Sequence, residues 1–256
     1  MIKTIFFDVD GTLVSHKTHS MPESSIQAIE SLKQKGIQVV IATGRSKMDL
    51  KRMPVNQVQF DRYITLNGQM TLDRDMNLLE GYPLSMQTAN HIVSMFNNKE
   101  YPIMLLEEDR MYINYIDEYV KIAEAAVSSP LPVLGTYEGA TLYQAIPFVS
   151  QEILDTFKDD LPHSKVTRWN EYGVDIIDEH GGKLEGVRKY MHNNHLAKEE
   201  CMAFGDGEND IAMLEEVGIG IAMGNASDEV KEIANYITTD IDDDGILNAL
   251  KHFKLL

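Results

Sequence analysis

Ile2 to Phe7 is a short, nearly continuous apolar run that breaks off into Asp8-Val9-Asp10-Gly11-Thr12-Leu13. A run of that length without alternation fits a strand buried on both faces, as found where helices cover a parallel sheet. Downstream, Ile26, Ile29 and Leu32 recur at helical spacing and Gly36 supplies a stop signal. Ile37 to Ala42 is then a second β-rich run. Strand, helix, strand in that order implies a right-handed crossover and a parallel sheet. Tyr63 to Leu66 reads as a third strand, ending at Asn67-Gly68.

The same grammar returns near the C-terminus. Met202-Ala203-Phe204 is strand-like, Ile211, Leu214 and Val217 form a helical stripe closed by Gly218, and Ile219 to Met223 is strand-like again. Val230, Ile233 and Ala234 lie on a further short helix, and Tyr236 to Thr238 reads as an edge strand. The middle differs. Helices over Thr88–Phe96 and Asp117–Val127 mix with short strands at Leu142–Phe148, Lys165–Trp169 and Val174–Asp178, and six of the eight prolines fall there. We expect an α/β fold: a Rossmann-like parallel-sheet core from residues 1–81 and 183–256, with an α+β domain inserted over 82–182.

The chain's 256 residues are enough for two such bodies. Its formal net charge of -17 lacks the basic footprint that phosphate backbones require, so no nucleic-acid partner is expected. The same charge repels any anionic ligand at long range, so an anion site has to be made positive locally. Cys201 is the single cysteine and sits in an apolar stretch that reads as a buried strand, which allows no intramolecular disulfide and fits a reducing compartment. The N-terminus lacks the long apolar stretch of a signal peptide, and no apolar run approaches the ~20 residues of a membrane span. These features point to a cytoplasmic location with no membrane partner.

Polar residues gather where the strands end, which is where doubly wound sheets bind ligands. The first strand ends in Asp8-Val9-Asp10-Gly11-Thr12-Leu13, the second in Thr43-Gly44-Arg45, and a later one in Gly205-Asp206-Gly207-Glu208-Asn209-Asp210. Lys183 follows Gly181-Gly182 and opens a helix. Each fragment alone has an ordinary structural explanation: paired aspartates cap helices and turns, and a lone lysine is usually solvated. Together, in this order, they are specific. The sequence resembles the haloacid dehalogenase superfamily of aspartate-nucleophile phosphatases, whose four motifs match Asp8-x-Asp10, Thr43, Lys183 and Asp206-x-x-Asn209-Asp210. The insertion, Ala222-Met223-Gly224-Asn225-Ala226 and Asp244-Gly245-Ile246 resemble its Cof-type branch with a C2-type cap. Residue 69 is Gln where that branch usually has a small residue.

The resemblance implies a magnesium-dependent phosphatase of small phosphomonoesters, with sugar phosphates as the leading class. It implies Asp8 as the nucleophile that forms an aspartyl-phosphate, and Asp10 as the acid that protonates the leaving oxygen and then activates water. Lys183 would neutralise Asp8 and the phosphate together. Thr43, Gly44 and the backbone N–H groups of Val9 and Asp10 would hold the phosphate oxygens. Mg2+ prefers oxygen ligands and keeps several waters. Asp8, the carbonyl of Asp10 and Asp206 would hold it, with Asp210 and Asn209 in or near the outer sphere. Arg45, Asn67 and Arg168 are possible substrate contacts, although Arg45 has the alternative of pairing with a core acid, and Arg168, Trp169 and Tyr172 that of filling the cap's own core. We expect a monomer or weak homodimer. A phosphotransferase or mutase on the same scaffold and a non-catalytic phosphometabolite sensor are the rival readings. Asp240-x-Asp242-x-Asp244-Gly245 opens like an EF-hand loop but has Lys251 where its last acidic ligand belongs.

Overall fold

The computed structural model describes residues 1–127 and 129–256. In chain order its elements begin with β1 (Thr4–Phe7), α1 (Glu23–Gln34), β2 (Gln38–Ala42), α2 (Lys47–Leu50), β3 (Arg62–Thr65), β4 (Met70–Leu72) and β5 (Leu78–Gly81). They continue with α3 (Met86–Asn98), β6 (Ile103–Leu106), β7 (Met111–Ile113), α4 (Glu118–Ala126), β8 (Gln144–Pro147), α5 (Gln151–Leu154), β9 (Ser164–Arg168) and β10 (Val174–Asp178). The last part holds α6 (Lys183–Asn193), β11 (Cys201–Gly205), α7 (Ile211–Glu216), β12 (Ile219–Ala222), α8 (Asp228–Ile233), β13 (Tyr236–Ile237) and α9 (Gly245–His252). Contacts divide the chain into two units, Met1–Glu80 with Gly182–Leu256, and Gly81–Gly181. Each boundary lies one residue earlier than the sequence reading put it.

The first unit is built on a sheet of order β13-β12-β11-β1-β2-β3-β4-β5. From β13 to β3 the strands run parallel, as crossover helices require, and β1 lies at the centre between β11 and β2. All four residues of β1 are buried, so the apolar run reports burial on both faces. Phe6 turns one way, edge-on to Tyr190 of α6. Phe7 turns the other and stacks on Phe204 at 5.1 Å between centroids. Burying each ring contributes about 1.5–3 kcal/mol. On α1, Ala28, Ile29 and Leu32 face inward, and Gly36 at φ +77° ends the turn in the left-handed region that favours glycine.

β4 extends the sheet antiparallel to β3, and β5 follows it at the edge. The sequence reading stopped at Asn67-Gly68 and missed both. Asn67 takes φ 51° there, and Gly68 takes φ +86°, which lets the chain fold straight back into a strand of three residues. β13 is the edge strand, as read.

The second unit is a sheet of order β7-β6-β8-β10-β9, antiparallel at every pairing. One face packs on α3: Ile92, Met95 and Phe96 meet Ile103, Leu105, Ala145, Val174 and Ile176. Ser85 caps α3 by accepting from the Thr88 N–H, and Asp117 caps α4 by accepting from Tyr119 and Val120. Among the described residues no helix is long and apolar enough to cross a membrane.

Candidate active site

Two strand ends of the first unit, those of β1 and β11, bring three carboxylates together. Asp8 follows β1, Asp206 follows β11, and Asp210 stands on the turn leading into α7. Each offers a carboxylate oxygen, and the three oxygens lie within 4.8 Å of one another. Lys183, the first residue of α6, reaches between them. Its Nζ donates to Asp8 Oδ1 at 2.7 Å and to Asp210 Oδ1 at 2.6 Å, with all three side chains buried. Both Asp210 oxygens are engaged, since its Oδ2 accepts the N–H groups of Asp206 and Gly207 at 3.0 Å each. It therefore aims Lys183 and shapes the Asp206 loop at once.

Two close approaches make this convergence possible. A Cβ on Gly11, which sits at φ +82°, would lie 2.0 Å from Asp206 Oδ2. A Cβ on Gly68 would lie 2.0 Å from the Gly182 carbonyl, at the start of the helix that carries Lys183. Neither glycine carries a local sequence signal for this close approach.

Burial and crowding set the charges. Burial first, then the neighbouring Asp210 charge, pushes the Asp8 carboxyl well above the usual aspartate range, with Lys183 opposing. Burial also pushes Asp206 up, to about 7, against the hydrogen bond from Thr12 and with the Asp210 charge adding. For Lys183, burial works against the ammonium, but Asp210 and Asp8 overcome it and hold the proton more firmly than usual. One lysine does not neutralise three carboxylates, two of them buried and that of Asp206 half-buried. An all-oxygen, acid-rich donor set that resists its own ionisation is suited to a hard divalent cation, which would relieve the repulsion. The residues thus fit a metal.

Around the cluster, Thr43 is buried and its Oγ1 accepts the Arg45 N–H at 3.1 Å, leaving the hydroxyl proton free to donate elsewhere. Among the described residues, no protein acceptor takes the N–H groups of Val9, Asp10 or Gly44. The Asn67 N–H donates to the Thr43 carbonyl, and its side chain borders Gly44, where a Cβ would meet Asn67 Oδ1 at 3.1 Å. Arg45 takes the option of pairing with a core acid: it holds Asp10 through two hydrogen bonds. Asn209 is exposed, on the turn Glu208–Asp210 that leads into α7. Arg168, in the second unit, gives its guanidinium to Gln151 Oε1 and to the carbonyls of Val149, Asn170 and Glu171, so it braces β9 against the neighbouring turn.

Two residues that sequence reasoning left without a role belong here. Buried Thr12 donates to Asp206 Oδ1 at 2.8 Å. Asn225 donates to the Gly11 carbonyl at 2.8 Å and accepts the Ile241 N–H at 3.0 Å, tying the loop after β1 to the loop before α9. The signal for Thr12 was its place two residues after Asp10; for Asn225 it was the Met223-Gly224-Asn225 turn at the end of β12.

A parallel α/β sheet with an acidic, lysine-bridged cluster at its strand ends defines a hydrolytic centre built on carboxylates. The chain belongs to the haloacid dehalogenase-like hydrolases, whose family model matches residues 5–250. It is similar to the putative phosphatase YkrA of Bacillus subtilis, 32% identical over 99% of this chain and 98% of that one. Among solved structures it is similar to BT1666 of Bacteroides thetaiotaomicron, reported among the phosphatases of this superfamily, at 31% identity and TM-score 0.88, covering 100% and 96% of the two chains. It is also similar to BT4131, a subclass IIB sugar phosphatase, at 32% identity and TM-score 0.82, covering 99% and 100%.

Proposed function

We propose that the chain is a magnesium-dependent phosphatase of small phosphorylated metabolites, sugar phosphates foremost, acting through an aspartyl-phosphate on Asp8. The observation that carries this reading is the buried Lys183 ammonium held 2.7 Å from Asp8 Oδ1, beside Asp206 and Asp210. Similarity to BT4131 supports a sugar phosphate, and the oxygen-only donor set supports magnesium. The single buried cysteine supports a cytoplasmic setting, and we take the insertion over 82–182 as the cap that selects the substrate.

In this reading Lys183, the free Val9, Asp10 and Gly44 N–H groups and the Thr43 hydroxyl hold the phosphate oxygens. An Asp8 oxygen attacks phosphorus while the bond to the ester oxygen breaks, and Asp10 gives that oxygen a proton. Asp10 then takes a proton from water, which displaces Asp8 and leaves inorganic phosphate. Asp8, the Asp10 carbonyl and Asp206 would hold the metal, which when bound neutralises charge on the transferring phosphoryl group. Asp210 acts through Lys183 and the 206–207 backbone.

The test is phosphate release from a panel of sugar phosphates, nucleotides and pyridoxal phosphate, with wild type and Asp8→Asn, with magnesium and with EDTA. Release by wild type alone, abolished by EDTA, is the expected result. No release from any ester, with a stable aspartyl-phosphate on Asp8, would turn the reading toward a sensor.

A further inference from the structure

The turn after β12 is pinned on two sides through its backbone. The Met223 N–H donates to the Gly205 carbonyl, next to Asp206, and the Gly224 N–H donates to the Thr239 carbonyl, each at 3.0 Å. Gly224 passes so close to the following loop that a Cβ there would lie 2.4 Å from the Asp240 nitrogen. Asn225 therefore projects from a fixed backbone. It is exposed, yet both ends of its amide are spent on protein groups rather than left to solvent.

Its Oδ1 accepts the Ile241 N–H at 3.0 Å, and its Nδ2 donates to the Gly11 carbonyl at 2.8 Å and to Asp206 Oδ2 at 3.4 Å. A backbone N–H only donates and a carbonyl only accepts, so these partners permit one orientation of the amide. Thr12 donates to the other Asp206 oxygen, Oδ1, at 2.8 Å. The Asp206 carboxylate is thus held by one neutral donor on each oxygen, and neither donor cancels its charge.

We propose that Asn225 is a positioning residue for magnesium: it clamps Asp206 to the turn at Gly11, so that the Asp206 carboxylate is set in place before the ion arrives. The inference rests on the magnesium-dependent reading above. Groups that orient a metal ligand are worth about 10- to 100-fold in affinity. Magnesium demands near-ideal octahedral geometry, whereas calcium accepts flexible and irregular shells. Loss of the clamp therefore weakens magnesium more than calcium, which general loosening of the fold does not do.

The experiment is calorimetric titration of magnesium and of calcium into wild type, Asn225→Ala, Asn225→Asp and Asn248→Ala. Asn248 is the control, because its Nδ2 ties the same loop to itself, through Thr239 Oγ1 at 2.9 Å and the Asp243 carbonyl at 3.0 Å. Asn225→Ala is expected to weaken magnesium about tenfold and to lower the magnesium-to-calcium affinity ratio at least about threefold, with Asn248→Ala unchanged in that ratio. Asn225→Asp keeps the acceptor for the Ile241 N–H and loses the donor; its added charge acts on both ions alike, so the ratio is expected to fall there too. A wild-type ratio in either Asn225 variant overturns the proposal, as does an equal fall in Asn248→Ala. If wild type binds magnesium but hydrolyses no ester, the phosphatase reading falls and the ratios still decide the role of Asn225. If wild type binds no magnesium, the proposal falls.

Discussion

Arg45 grips Asp10 with two hydrogen bonds, Nε to Oδ2 at 2.8 Å and Nη2 to Oδ1 at 2.9 Å. Burial works against the guanidinium, yet the bonds and charge of Asp10 prevail and raise the Arg45 pKa. Each Asp10 oxygen accepts one of these bonds and keeps a second lone pair, which in the proposed reaction carries the proton for the leaving group. Arg45 thereby fixes where Asp10 stands between turnovers. We predict that Arg45→Ala lowers kcat by about 10- to 100-fold, a barrier increase of roughly 1.4–2.7 kcal/mol. Arg45→Lys should recover little of it, because an ammonium lacks the planar fork. Steady-state kinetics on one sugar phosphate checks this; a normal kcat in Arg45→Ala would show that Asp10 needs no such hold.

Asp210 bonds Lys183 with one oxygen and two backbone N–H groups with the other. Asp210→Ala removes all three partners inside a buried site, leaving two orphan donors and an ammonium with one counter-charge. Breaking a buried pair of this kind costs about 3–5 kcal/mol, and the melting temperature is expected to drop on the order of 10 °C. Thermal unfolding by circular dichroism measures it, and a drop of under 3 °C would sink the account.

The pH dependence of the metal-free protein follows from Asp206. Its folded-state pKa of about 7 lies above the ordinary 3.8, so its favourable contribution is complete below about 3.8 and is lost as pH rises through about 7. Removing the titration should therefore help only at the alkaline end. In EDTA, Asp206→Asn should match wild type near pH 4 and exceed it at pH 8, by a margin of order 2–4 kcal/mol before solvent screening trims it. With saturating magnesium the order should reverse. Urea unfolding across the pH range, with and without the metal, separates these outcomes; a margin that does not grow with pH contradicts the assigned shift.

Gly11 lies so close to Asp206 that a methyl group there would overlap Oδ2. Gly11→Ala should therefore push Asp206 out of the cluster and weaken magnesium binding at least tenfold. Calorimetric titration reads the change directly. Retained affinity would mean that Asp206 is not a ligand.

The parallel sheet was legible because its strands carry unbroken apolar runs and its helices carry 3.6-residue stripes; Phe6 and Phe7 need no tertiary knowledge to be read as buried on both faces. The gathering of Asp8, Lys183, Asp206 and Asp210 was legible by a further step, since strand ends in a parallel sheet share one edge. What was not legible depends on partners far apart in sequence. Nothing local to Arg45 chooses between a ligand and Asp10, and nothing local to Arg168 reveals that three backbone carbonyls await it. β4 escaped notice because three residues carry too little periodicity to compete with the stop signal of Asn67-Gly68. Thr12 and Asn225 are common polar residues in turns, and only the fold brings them to Asp206 and to the Gly11 carbonyl.

The lysine-bridged cluster also sets a condition on valence. Asp8, Asp206 and Asp210 with Lys183 leave two negative charges when all are ionised, while Asp10 and Arg45 cancel each other. A divalent ion brings the buried centre to electroneutrality. A sodium or potassium ion leaves it one charge short, and a trivalent ion overshoots by one. The proportion of acids to lysines at these strand ends thus selects for ionic charge before radius or geometry discriminates among metals.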